Sequence, residues 1–118
     1  MVRILAVKIK RAINENRVDL YEATRGNWKA AKENCNTDTV GYVVGIYEGK
    51  VLSAYRPTRW YSVIEDGTDS VRRRFEGTPV DKDLFEIFKK NEEKIINSFG
   101  HGAAISYVEM DLKNYNLV

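Results

Sequence analysis

The chain has 118 residues, of which 43% are hydrophobic and 31% charged, and its formal net charge is +2. That length supports one compact domain spanning residues 1–118 and excludes two. The sequence lacks the run of about 18 apolar residues that a membrane-spanning helix needs, and its near-neutral charge argues against a general binder of polyanions.

The charged residues Arg3, Lys8 and Lys10 interrupt the apolar N-terminal stretch, so we expect no signal peptide and a cytoplasmic protein. Cys35 is the single cysteine and His101 the single histidine. They exclude an internal disulfide and a Cys/His zinc site, so we expect neither a metal nor a cofactor. We interpret His101 as a solvated loop residue and Cys35 as a bystander in a polar loop.

The first half of the chain predicts a strand, a short helix and a two-stranded hairpin. Residues 2–10 are apolar in both alternating sets, which predicts a buried strand. Residues 18–24 fit a short helix that ends at Gly26. A Gly-containing turn at residues 48–50 then joins two strands of a hairpin, residues 40–47 and 51–56.

Two residue types refine the predicted hairpin. Gly41 and Gly45 lie on the face of the first strand opposite Val44, where a missing side chain lets another backbone or a ligand approach. Pro57 is expected to end the second strand, because proline has no N–H for the ladder.

The second half of the chain predicts further strands and one long helix. Residues 60–64 and 71–77 fit strands, and residues 103–110 fit a last strand. Between them, Thr78 and Pro79 predict the cap and first position of a helix. The order of elements predicts an α+β domain with a mostly antiparallel curved sheet or partial barrel packed by two helices.

The triplet Gly45-Ile46-Tyr47 spells the first signature of the GIY-YIG nucleases. Such a nuclease also needs a YIG-like strand, a catalytic arginine on a helix and a metal-binding glutamate. No YIG-like triplet follows, and Arg56 falls on a predicted strand. We therefore interpret the triplet as part of an ordinary strand and favour a protein that is not an enzyme.

Four segments of the sequence share a pattern with a known module. They are ATRGNWK, GYVVGIYEGKVLSAYRPTRW, RRRFEG and FGHGAAISYV. They resemble a small module of uncharacterised bacterial and phage proteins, which in some of those proteins follows a GIY-YIG nuclease-like domain. The resemblance implies an accessory recognition domain near nucleic acid or nucleotide chemistry, and it implies no cutting activity for this chain.

Arginine stands close to an aromatic residue repeatedly within these segments. A base stacks on an aromatic ring, and a guanidinium offers a fork that matches phosphate oxygens, so this pairing suits nucleotides. The candidate ligand-binding residues are Arg25, Trp28, Arg56, Arg59, Trp60 and Arg73.

Several candidates also have a structural interpretation. Trp28 and Trp60 suit core anchors as well as a pocket. Arg73 shares a predicted strand face with apolar residues, so it is either a buried ion-pair partner or a ligand contact. Arg25 is the foremost candidate for an anion contact, and its alternative is an interaction with the helix dipole.

Three functions remain open from the sequence. The favoured one is a non-enzymatic module that binds a nucleotide or nucleic acid. The alternative is a small phage or bacterial protein-interaction factor, an inhibitor or sequestering protein, which forms a homodimer through an edge strand at residues 2–9 or 104–108. A hydrolytic enzyme would need clustered loop carboxylates, and turn formation explains the candidates more simply. Those candidates are Glu48, Glu65, Asp66 and Asp69.

Overall fold

The computed structural model describes residues 2–14, 19–30, 35–64, 71–111 and 116–117. Within them the elements are β1 (Val2–Lys8), α1 (Lys10–Asn14), α2 (Leu20–Arg25), β2 (Tyr42–Tyr47), β3 (Lys50–Ile64), β4 (Val71–Pro79), α3 (Lys82–Lys90), α4 (Glu92–Asn97), β5 (Ile105–Asp111) and β6 (Asn116–Leu117). The predicted α+β class is confirmed. Among the described residues, no helix is long and apolar enough to cross a membrane.

The strands form one open sheet in the order β4-β3-β2-β1-β5-β6. β1 pairs parallel with β2, and the other neighbouring pairs are antiparallel, so the sheet is mostly antiparallel as predicted. A parallel pair needs a crossover connection, and α1 and α2 lie in it. β1 is therefore a central strand, and the prediction that residues 2–9 could supply a free edge was wrong.

Alternate residues of the sheet pack into two separate cores, because successive side chains of a strand point to opposite faces. On one side, which we call the α3 side, the buried cluster includes Ile4, Val44, Phe88, Ile95 and Met110. On the other, the α1 side, it includes Leu5, Val43, Trp28, Tyr55 and Phe75. Both sides carry two helices, so the described residues contain four helices where two were predicted.

β3 continues through Pro57, which was predicted to end it. The register between β3 and β4 shifts between Pro57 and Arg59, and this bulge accommodates a residue that cannot donate to the ladder. Residues 60–64, predicted as a separate strand, therefore extend β3 and pair with β4 from Phe75 to Val71.

The helix start predicted at Thr78 and Pro79 was wrong, because both residues belong to β4. Asp81 caps α3 instead, and its Oδ1 accepts a hydrogen bond from the N–H of Leu84 at 2.8 Å. The single long helix predicted here is divided at Asn91 into α3 and α4. The predicted end of α2 at its C-cap glycine is confirmed.

Gly45 marks a close approach of α2 to the sheet. A Cβ at this position would overlap Ser53 Oγ and lie 3.0 Å from Thr24 Oγ1. These two hydroxyl groups are hydrogen bonded to each other at 2.7 Å, and both residues are buried. The missing side chain at Gly45 thus admits a buried hydroxyl pair, where a backbone or a ligand was expected.

Candidate functional site

A cleft of about 680 Å³ opens between β3, β4 and the segment that follows Cys35; we call it the Trp60 cleft. The residues that line it are Cys35, Asn36, Thr37, Thr58, Arg59, Trp60, Tyr61, Ser62 and Arg73. It brings together three of the six predicted site residues, namely Arg59, Trp60 and Arg73. Its volume falls within the range of roughly 300–1,000 Å³ that small-molecule sites occupy.

Trp60 supplies the large aromatic surface of the cleft. Its ring packs on that of Phe75, its cross-strand partner, with centroids 5.3 Å apart and planes inclined by 55°. The indole Nε1 is buried and has no hydrogen-bond partner among the described residues. An unsatisfied buried donor costs about 1–3 kcal/mol, and within the described part of the chain nothing compensates this cost at Trp60.

Arg73 is held in place by main-chain hydrogen bonds, and its side chain has a hydrogen-bond donor that is not satisfied. Its N–H donates to Trp28 O at 2.8 Å, and the N–H of Trp28 donates to Arg73 O at 2.9 Å. Arg73 Nη1 donates to Ser62 Oγ at 2.7 Å. The buried Nε of Arg73 has no acceptor within the described part of the chain, and no described carboxylate forms an ion pair with the guanidinium. The interpretation as an ion-pair partner therefore finds no support there.

The rim of the cleft combines an exposed charge with a hydrogen-bonded loop. Arg59 is exposed, and its guanidinium lies 5.5 Å from the centre of the Tyr61 ring. Asn36 holds the opposite rim, because its Oδ1 accepts hydrogen bonds from the N–H groups of Asp38 and Thr39 at 2.9 and 3.0 Å. The guanidinium of Arg59 is thus exposed to solvent beside the Tyr61 ring.

Cys35 is buried in the cleft, with its Sγ 4.0 Å from Tyr107 Oη on β5. Burial raises the pKa of the Cys35 thiol, although the hydrogen bond with Tyr107 and the charge of Arg73 act in the opposite direction. The thiol is therefore held in its neutral form at pH 7, which suits a structural residue rather than a nucleophile. The sequence analysis had placed it in a polar loop and missed its burial.

Arg25 lies outside the Trp60 cleft and is hydrogen bonded internally by all three of its side-chain nitrogens. Its Nε donates to Phe75 O at 3.0 Å, and its Nη1 donates to Glu22 Oε1 at 3.0 Å. Its Nη2 donates to Tyr61 Oη at 2.8 Å. Burial lowers the pKa of Arg25, but the hydrogen bond with Glu22 and the nearby Tyr21 and Tyr61 outweigh it and raise the pKa. We assign Arg25 a structural role and leave it out of the site.

Trp28 and Arg56 also lie outside the Trp60 cleft. Trp28 is a core residue, 9% exposed, whose Nε1 donates to Thr24 O at 2.7 Å. Arg56 lies on the α3 side, where its guanidinium is 5.4 Å from the centre of the Tyr42 ring and donates to Tyr42 Oη at 3.0 Å. Across the bulge Arg56 pairs with Thr78 and Arg59 with Glu76, and of the two arginines only Arg59 lines the cleft.

The described residues contain no group of three His, Cys, Asp or Glu side chains that could hold a metal ion. Glu48, one of the carboxylates considered for hydrolysis, is exposed in the hairpin turn and pairs with Lys10 at 3.4 Å. The other three, at positions 65, 66 and 69, lie outside the described residues. His101 is exposed in a turn, as predicted.

Sequence reasoning missed the polar groups of the cleft, including Ser62 and Asn36. Ser62 enters the cleft through the pairing of β3 with β4, and Asn36 enters it from a loop that is distant from both strands in sequence. The alternation of Trp60 with Ser62 was the available signal, since both lie on the face that pairs with Phe75 and Arg73.

No family model, curated protein or solved structure matches this chain. The resemblance to a bacterial and phage module stays a prediction, and it adds no residue to those that the cleft itself brings together. The function is therefore argued from the geometry and chemistry of the described residues.

Proposed function

We propose that the protein is a non-enzymatic binding module that recognises a nucleotide, free or within a nucleic acid, in the Trp60 cleft. One observation carries the proposal. Two residues of the cleft, Trp60 and Arg73, each hold a buried N–H donor that has no acceptor among the described residues. Buried donors are normally satisfied, so a cleft with two unsatisfied ones favours a ligand rich in acceptors.

The other lining groups fit the same ligand class. The Trp60 ring offers a surface for a base, and base–aromatic stacking contributes about 1–3 kcal/mol per base. The guanidinium groups of Arg59 and Arg73 suit phosphate oxygens. Within the described part of the chain no carboxylate lines this cleft, which favours an anionic ligand over a cationic one.

Binding is favoured over chemistry by the state of the most reactive side chain in the cleft. The Cys35 thiol is buried and its pKa is raised, so it is kept in the less nucleophilic form. We place this binding activity in the cytoplasm, as the sequence leads us to expect.

Arg59 and Arg56 make a matched pair for testing the proposal. Both are exposed arginines of β3, and each lies over a tyrosine ring, but only Arg59 lines the cleft. We expect Arg59→Ala to weaken binding of nucleotides or short oligonucleotides by about tenfold or more, since it removes a charge-assisted contact. Arg56→Ala should leave the affinity unchanged.

Thermal denaturation and calorimetric titration measure this difference. A ligand present at about a hundred times its dissociation constant should stabilise the protein by about 2.7 kcal/mol. Equal loss of affinity in the two arginine variants, or no stabilisation by any mono-, di- or cyclic nucleotide or oligonucleotide, would contradict the proposed function.

A second candidate function rests on β5. β6 pairs with β5 only at Met110 and Asp111, so the outer edge from Ile105 to Glu109 has no strand partner among the described residues. An unpaired edge is a template for another chain, which favours a protein-interaction factor that self-associates as a homodimer. A dimer mass by light scattering, together with no response to the nucleotide panel, would select this candidate over the first.

A further inference from the structure

A second cleft, of about 600 Å³, shares no lining residue with the Trp60 cleft. It lies between the end of β1, α1, the residues that follow α2 and the residues that precede β5. Trp28 lines it, whereas Arg73, the backbone partner of Trp28, lines the Trp60 cleft. Its charged lining residues are Lys8, Arg11, Lys29 and Arg72, and we call it the Lys29 cleft.

All charged residues that line the Lys29 cleft within the described ranges are basic. A neighbouring groove shares Lys8 and Arg11 and adds Lys10. Lys10 pairs with Glu48 at 3.4 Å, whereas Lys8 and Lys29 form no ion pair with a described residue. The whole chain carries a net charge of only +2, so this concentration of positive charge is local. A concave surface lined by one sign of charge attracts the opposite sign.

The uncharged lining of the cleft includes three alanines and one polar side chain, that of Asn27. Ala12, Ala103 and Ala104 leave open space beside the cations. Asn27 Oδ1 is buried and has no donor among the described residues. An acceptor in this position favours a ligand that carries a hydroxyl group beside its negative charge.

We propose that the Lys29 cleft binds a phosphate group, either free phosphate or the phosphate of an ester. The lysine ammonium groups act as point charges toward the phosphate oxygens, and the two arginines add positive charge to the same cleft. The Asn27 side chain accepts a hydrogen bond from a hydroxyl group of the ligand. This site does not depend on the function proposed for the Trp60 cleft, because the two clefts have no lining residue in common.

Site-resolved titration tests the proposal. Isotope-labelled protein is titrated at constant ionic strength with inorganic phosphate, and separately with a short single-stranded oligonucleotide, while the backbone amide resonances are followed. We expect saturable shifts at Gly26, Asn27 and Ala104 with phosphate, and smaller shifts at Ser62 in the Trp60 cleft. Shifts at the first three amides with the oligonucleotide alone would identify a phosphodiester as the source of the phosphate group.

Charge-reversal variants provide the control. Lys29 and Lys82 are both exposed lysines, so Lys29→Glu and Lys82→Glu change the net charge equally, but Lys82 lies at the start of α3. We expect Lys29→Glu to weaken the affinity for the probe that binds by about tenfold or more, while Lys82→Glu leaves it unchanged. No saturable shift with either probe, or equal weakening by both variants, would overturn the proposal. If Arg59→Ala leaves nucleotide affinity unchanged while these shifts persist, only the function proposed for the Trp60 cleft fails.

Discussion

The two sides of the sheet treat polar groups differently. On the α3 side the buried cluster is apolar, and the buried polar side chain of Asn91 is satisfied, because its Nδ2 donates to Ile87 O at 2.9 Å. On the α1 side the buried hydroxyl pair of Thr24 and Ser53 and the unsatisfied donors of Trp60 and Arg73 lie close to the apolar cluster. Apolar packing is sufficient to explain why the α3 side is stable. Unsatisfied donors lower the stability of a fold, so the two on the α1 side indicate a role in binding a ligand.

Phe88→Ala should give the largest loss of stability, because it opens a cavity on the α3 side. Phe88 is fully buried and its ring packs edge-on against Tyr42, with centroids 5.7 Å apart. We expect the free energy of unfolding to fall by about 3–5 kcal/mol in urea denaturation. Phe85→Ala, at a half-buried position of the same helix, should cost less. A loss at Phe88 no greater than at Phe85 would contradict the importance given to the α3 side.

Thr24→Val should have the next largest effect, because it breaks the buried hydroxyl pair of the α1 side. Thr24 Oγ1 donates to Leu20 O at 2.6 Å and lies 2.7 Å from Ser53 Oγ. The substitution leaves the Ser53 hydroxyl buried without this partner, so we expect a loss of about 1–3 kcal/mol in chemical denaturation. Ser53→Ala in the same background should restore part of it, and strictly additive losses would count against coupling.

Glu92→Gln should have a smaller effect that depends on pH. Glu92 Oε2 accepts from the N–H of Val51 at 2.7 Å and from Lys89 Nζ at 2.9 Å, and these two hydrogen bonds lower the pKa of Glu92. The hydrogen bond with Val51 joins α4 to β3.

The sign of the pH dependence follows from the lowered pKa of Glu92. Its stabilisation is complete above the ordinary carboxyl pKa of about 4.3 and is lost as the pH falls through the lower pKa of the folded protein. We expect Glu92→Gln to cost about 0.5–1.5 kcal/mol at pH 7 and progressively less in acid. Denaturation at a series of pH values measures this, and a constant difference between the two proteins would exclude the ionised contact.

Arg73→Leu combined with Ser62→Ala should affect stability least and binding most. The two substitutions remove the donor Arg73 Nη1 and its acceptor Ser62 Oγ, together with the unsatisfied Arg73 Nε. Neither side chain of this hydrogen bond is then left without its partner. We expect the free energy of unfolding to stay the same or rise by up to about 1 kcal/mol, while nucleotide affinity is lost. A loss of stability above about 2 kcal/mol would show that Arg73 serves the fold rather than a ligand.

Local sequence signals predicted those elements that local chemistry decides. The apolar run of β1 predicted its burial, and Gly26 predicted the end of α2. Thr78 and Pro79 misled, because they suit a helix start and yet pair with Arg56 and Tyr55 across the sheet. Pairing between distant segments overrode the local preference there.

Local sequence signals were also insufficient to predict which residues come together at the candidate sites. Residue type alone selected Arg59, Trp60 and Arg73 together with three others, since arginine suits phosphate oxygens and tryptophan suits bases. It could not separate Arg59 from Arg56, because the cleft that Arg59 lines also needs the distant residues Cys35 to Thr37. Lys8 contributes to the Lys29 cleft only through the position of β1 beside β5, which no local pattern encodes.

Tryptophan fluorescence tests the central claim most directly, because Trp28 and Trp60 are the only two tryptophans and only Trp60 lines the Trp60 cleft. A base stacked on the Trp60 ring should quench its emission. The protein is titrated with a nucleotide or a short single-stranded oligonucleotide, beside Trp60→Phe as the matched variant. Saturable quenching that disappears in Trp60→Phe is the predicted result. No quenching by any ligand, or equal quenching in Trp60→Phe, would contradict a binding site at this cleft.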